Sequence, residues 1–145
     1  MKAKVNGTEL YYEVSGSEGA PWLIFSHSLA CSVRMWDPQV EAFRSSYRIL
    51  NYDMRGHGAS AAPAGPYSFD MLADDVLGLM KECGIARARF VGLSIGGMIG
   101  QTLALRNPAS FEKMVLADTT HMQPPEAIEQ WHQRIGIAQI GRAHV

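Results

Sequence analysis

Apolar positions along this chain fall into two kinds of run. Lys2–Val5, Glu9–Val14, Trp22–Phe25, Tyr47–Tyr52, Arg89–Gly92 and Lys113–Ala117 have the length and residue types of β-strands. Trp22–Phe25 is apolar throughout, as expected of a strand covered on both faces of a sheet. Asn6-Gly7 divides the first two runs and predicts a tight hairpin. Between the later strands the spacing turns helical. Asp37 can cap and Pro38 can start a short helix reaching about Phe43. Ser68 caps a longer one, in which Met71, Leu72, Asp75, Val76, Leu79 and Met80 follow at helical spacing until Gly84 ends it. Gly96–Arg106 is a third helix, stopped by Asn107-Pro108, and a helical segment begins near Glu126 after Pro124-Pro125. Ser15–Pro21, Ser26–Ser32 and Asp53–Pro66 read as loops.

An opening hairpin followed by alternating strands and helices predicts an α/β domain. Its sheet should be mostly parallel, with an antiparallel start and helices on both faces. The chain has 145 residues, enough for one domain with a real core and too few for a second. A net charge of −1 gives no electrostatic argument for nucleic acid or an anionic membrane, so neither is expected as a partner. Met1–Glu13 carries no apolar signal region and no stretch is long enough to span a bilayer, which predicts a cytoplasmic protein. Cys31 and Cys83 follow no metal-ligand spacing and read as reduced thiols. No metal and no cofactor is expected.

Candidate chemistry centres on Gly92-Leu93-Ser94-Ile95-Gly96, a G-x-S-x-G motif lying between a predicted strand and a predicted helix. A serine on such a turn is strained, and side chains at the flanking glycines would clash with neighbouring backbone. The helix behind Ser94 offers free N–H groups and a positive dipole end to a developing oxyanion. Ser94 is therefore the candidate nucleophile and the Ile95 N–H the natural first donor. The competing reading is an ordinary strand-to-helix turn that happens to contain serine.

Asp53-Met54-Arg55-Gly56-His57-Gly58-Ala59-Ser60 resembles the D-x-R-G-H-G-x-S turn of α/β-hydrolases, and Trp36 fits the tryptophan that follows their oxyanion loop. Within that superfamily the chain is most similar to 3-oxoadipate enol-lactonases. Arg34-Met35-Trp36-Asp37-Pro38-Gln39, Tyr52–Ser60, Gly65-Pro66-Tyr67 and the elbow carry the likeness, over about residues 5–120. The resemblance implies a serine hydrolase of small lactones or esters. The second oxyanion donor would be the Leu29 N–H, in the loop Ser26-His27-Ser28-Leu29-Ala30. Ser28, Arg34 and Trp36 are the substrate-binding candidates, Arg34 as a cation for a substrate carboxylate. His27 precedes the nucleophile, the wrong chain order for the base, and reads as a loop-packing residue. His57 is structural in that family's turn, where Asp53 and Arg55 are expected to pair.

The fold's order of serine, acid, then histidine leaves few candidates after Ser94. Asp118 stands past the last strand, either as the acid or as a strand-end residue. His121 and His132 lie where a cap would begin and are poor bases. The resemblance implies the N-terminal part of the core over 1–120 and the start of a helical cap over 121–139, leaving a tail at 140–145. Gln139–Val145 can be encoded by CAG ATC GGA AGA GCA CAC GTC, which from the first AG onward matches a widely used sequencing-library adapter. Residues 140–145 are accordingly expected to be non-native, the chain a fragment, and the polypeptide as written nearly inactive, with Lys113–Ala117 an exposed apolar edge. General carboxylesterases and cofactor-free haloperoxidase-like hydrolases share most of these residues. A non-catalytic binding module on the same fold is the alternative of another class. Oligomeric state is left open.

Overall fold

Asn6 and Gly7 both take positive φ, 45° and 73°, as a two-residue type I′ turn requires. The chain therefore opens on a hairpin of β1 (Lys2–Val5) and β2 (Thr8–Gly16). The computed structural model describes residues 1–122, 124–130 and 133. On its other side β2 pairs antiparallel with β4 (Arg48–Tyr52). From there pairing is parallel: β4 with β3 (Trp22–Ser26), β3 with β5 (Ala88–Leu93), and β5 with β6 (Phe111–Ala117). The resulting order is β1-β2-β4-β3-β5-β6, the mostly parallel sheet with an antiparallel start that the sequence predicts.

Alternation along β3 fixes the two layers. Leu23 and Phe25 join Ile49 and Trp36 on one face, beneath α1 (Asp37–Phe43). Ile24 joins Leu50 and Phe90 on the other, beneath α2 (Phe69–Glu82) and α3 (Ile95–Arg106). Ser68 caps α2 by accepting the Met71 N–H, and that helix buries Leu72, Val76 and Leu79. A 3₁₀ turn at Val33–Trp36, capped by Ser32, precedes α1. Four residues carry no readable period, so the sequence does not predict this turn. Strand ends also run past the apolar runs. Ser15 and Gly16 continue β2 opposite Ile49 and Arg48, because ladder bonds need backbone and not apolar side chains. Residues 125–130 are helical, near the expected start. His132 and residues 139–145 lie outside the described residues. No helix among the described residues is long and apolar enough to cross a membrane.

The loop after β4 corrects one expectation. Arg55 does not pair with Asp53. It reaches α2, where its Nε meets Asp75 Oδ2 at 2.6 Å and its Nη2 meets Oδ1 at 2.5 Å, both side chains almost fully buried. Asn6 joins them, donating to Asp75 Oδ1 at 2.9 Å and accepting from Arg55 Nη2 at 3.2 Å through its carbonyl. Asp53 instead accepts two backbone N–H groups, Val33 at 2.7 Å and Ala59 at 2.8 Å, and so ties the 3₁₀ turn to its own loop. The physical reason is geometric: a planar guanidinium takes a carboxylate bidentately, which a residue two positions away in a tight loop cannot offer.

Among the described residues β6 is the outer strand of the parallel side, with Val115 57% and Leu116 36% exposed. An unpaired apolar edge is a template for association. Val115→Lys is expected to reduce light scattering of the concentrated protein on warming, with the folded circular dichroism spectrum unchanged. Equal scattering by both proteins would place the sticky surface elsewhere.

Candidate active site

Ser94 lies at the end of β5, immediately before α3, with φ 55° and ψ −115°. These angles match the first central position of a type II′ turn, where glycine is usual and an L side chain is strained. The strain is held from both sides. The Ser94 N–H donates to the Ala117 carbonyl at 3.0 Å, and the Ser94 carbonyl accepts the Met98 N–H and the Thr119 hydroxyl at 2.8 Å. The sequence does not reveal Thr119, since its contact with the elbow spans 25 residues and leaves no local trace.

The two glycines of the motif are there for room. A Cβ on Gly92 would strike the Gly96 carbonyl, and one on Gly96 would strike the carbonyls of Ser26 and His27. The first turn of α3 thus lies directly against the start of the loop that holds Ser28 and Leu29. Gly96→Ala should cost about 1–3 kcal/mol of stability, the usual range for overpacking. It should also slow reaction of Ser94 with a serine-directed fluorophosphonate, because the loop must move. Denaturant melts with labelling rates check both, and an unchanged labelling rate would mean the loop plays no part.

Ile95 is the first residue of α3, so its N–H has no carbonyl one turn back within the helix and is free to meet an oxyanion. Leu29 is exposed and Ser28 half-buried. The loop between them and β3 is anchored by His27, whose side chain is fully buried. The Met54 N–H donates to His27 Nε2 at 3.0 Å, so in the neutral ring the proton sits on Nδ1, which donates to the Ser28 carbonyl at 2.7 Å. Both nitrogens are therefore occupied, in keeping with a loop-packing residue. Beneath the loop Ser26 Oγ and the Tyr52 hydroxyl share a buried 2.8 Å bond, and burial pushes the Tyr52 phenol above its ordinary range.

The remaining candidates divide. Asp118 follows the carbonyl that binds the Ser94 N–H, is exposed, and has φ 44°. Arg34 is exposed on the 3₁₀ turn and paired with Glu13 on β2 and, at 3.3 Å, with Asp37. Trp36 is buried and stacked on Phe25 with ring centroids 4.9 Å apart. So Ser94, Ile95, the Ser28–Leu29 loop and Asp118 belong to neighbouring segments, while Arg34 and Trp36 make contacts of the scaffold. Among the described residues no imidazole or carboxylate hydrogen-bonds the Ser94 hydroxyl; His57 Nδ1 lies 3.2 Å from the Arg55 carbonyl, and His121 is exposed.

The family model for the alpha/beta hydrolase fold matches residues 21–136. The chain belongs to the α/β-hydrolase fold family. It is 43% identical over 110 residues to 3-oxoadipate enol-lactonase 2 of Acinetobacter baylyi, covering 76% of this chain and 41% of that protein. It is 34% identical to a putative carbamate hydrolase, RutD, of Yersinia enterocolitica, covering 86% of this chain and 46% of that one. The crystal structure of the enol-lactonase from Burkholderia xenovorans LB400 superposes with a TM-score of 0.81 at 49% identity, over 82% of this chain and 46% of that chain. This α/β-hydrolase chain thus spans less than half the length of these relatives.

Proposed function

We propose that the protein is a serine hydrolase of small lactones or esters, with 3-oxoadipate enol-lactone the best-supported substrate. One observation carries the reading: Ser94 is held in a strained turn between a helix N-terminus and a backbone loop. A merely structural serine has no reason to stay there, since glycine would relieve the strain. In the proposed reaction Ser94 attacks the lactone carbonyl and a histidine takes its proton. The Ile95 and Leu29 N–H groups hold the oxyanion. The ring opens to an acyl-enzyme, and water releases the acid. No described imidazole bonds Ser94, so the base is assigned to a part of the protein outside the described residues. Asp118 is the acid candidate within them. An anionic substrate drawn to Arg34 would have to displace Glu13 and Asp37.

Likeness to enol-lactonases favours the lactone, and likeness to a putative carbamate hydrolase makes carbamates the competitor to exclude. Side-by-side assay of the full-length protein on the enol-lactone, simple aryl esters and carbamates tests the choice. Preference for the enol-lactone by kcat/KM supports the reading, and preference for a carbamate overturns the substrate.

A further inference from the structure

His27 does more than fill the loop. Within a trans peptide, the C=O of one residue and the N–H of the next point in opposite directions from one rigid plane. The Ser28 carbonyl is drawn inward by the His27 Nδ1–H at 2.7 Å and also accepts the Cys31 N–H at 3.2 Å. The Leu29 N–H, on the same plane, therefore points away from the His27 ring, and the Leu29 side chain is itself exposed. The ring that sets this plane cannot swing while Met54 donates to Nε2. Nor can the loop slide, because the Ser26 and His27 carbonyls lie against Gly96 of the elbow.

We propose that His27 is the positioning residue of the second oxyanion donor: its neutral, Nδ1-protonated ring sets the Ser28–Leu29 peptide plane and so aims the Leu29 N–H at a substrate carbonyl held on Ser94. The proposal rests on the serine-hydrolase reading. It also ties the donor to pH. A proton on Nε2 would set two N–H groups head to head across the 3.0 Å gap to Met54, and the ring would leave its place. The groups facing the ring are His57, with centroids 5.2 Å apart, the Tyr52 ring at 6.5 Å, and Asp53. Burial is the main cause that holds His27 below its ordinary value of 6.5; the charge of His57 pushes the same way, while the Ser28 bond and Asp53 oppose. With the folded value below the unfolded one, the neutral ring's contribution is complete above about pH 6.5 and is lost as pH falls through the folded value.

Two substitutions separate the two nitrogens. His27→Asn places an amide N–H near Nδ1 and keeps the donor to Ser28. His27→Gln places an amide near Nε2 and keeps only the Met54 contact. Fluorophosphonate labelling of Ser94 in the full-length protein at pH 8 should fall about 10–100-fold in His27→Gln and much less in His27→Asn, somewhat less than the about 100–1000-fold lost when an oxyanion donor is removed outright. In ¹⁵N spectra the Leu29 amide should shift in the Gln variant, titrate with His27 in the wild type, and stay flat with pH in the Asn variant. A purely structural role would instead make both variants lose labelling in step with their melting temperatures. Wild-type labelling rates in His27→Gln, or a Leu29 amide unmoved by that change, overturn the proposal. If Ser94 of the full-length wild type does not label at all, the hydrolase reading falls and the Leu29 amide alone decides the positioning role.

Discussion

Ser94→Gly is expected to make the protein more stable and chemically inert. The turn at φ 55° and ψ −115° costs an L residue about 1–3 kcal/mol, and glycine adopts it freely. Glycine also gains freedom in the unfolded chain, which returns about 0.4–1 kcal/mol of that benefit. A net rise centred on about 1.3 kcal/mol should remain, measured as a higher denaturant midpoint with an unchanged slope. Labelling at position 94 should drop to background. Ser94→Ala separates the two effects: it removes the hydroxyl and keeps the strain, so it should be inert without being stabilised. A glycine variant no more stable than wild type would mean the turn is relaxed and the serine merely tolerated.

Asp75→Ala is expected to be strongly destabilising. It would leave the Arg55 guanidinium buried without its carboxylate, a change that typically costs about 3–5 kcal/mol. That is about a fifth or more of the stability of an ordinary domain, about 5–15 kcal/mol. Asn6 and the loop after β4 would lose their shared partner at the same time, so the hairpin, the loop and α2 should loosen together. The double variant Arg55→Met, Asp75→Leu should recover much of the loss, since it removes both charges. Thermal melts of the three proteins check this. A single variant within about 1 kcal/mol of wild type would show that water or a neighbour replaces Asp75.

What the sequence reveals here follows the range of each interaction. The elbow is legible because its requirements are local: a strand, a serine, a helix, and glycines on either side where Cβ atoms would collide. The Asn6-Gly7 hairpin is legible for the same reason. The partner of Arg55 is not, because proximity in sequence points to Asp53 while the buried carboxylate sits 20 residues away on α2. A signal was nevertheless present. Asp75 falls at helical spacing among Leu72, Val76 and Leu79, and a carboxylate on a core-facing stripe demands a buried cation. Thr119 and the role of His27 depend on contacts between loops, which periodicity does not encode. Arg34 and Trp36 were singled out by resemblance alone, and their observed partners, Glu13 and Asp37 for one and Phe25 for the other, come from packing that a motif does not specify.

The central claim is that Ser94 is a nucleophile. Incubating the full-length protein, with the segments its relatives carry beyond this chain, with a fluorophosphonate and mapping the adduct by peptide mass spectrometry tests it most directly. A single adduct is expected on the peptide containing Ser94, absent from Ser94→Ala and slowed in Gly96→Ala. Adducts spread over other serines, or none on Ser94 while the protein remains folded, would contradict it.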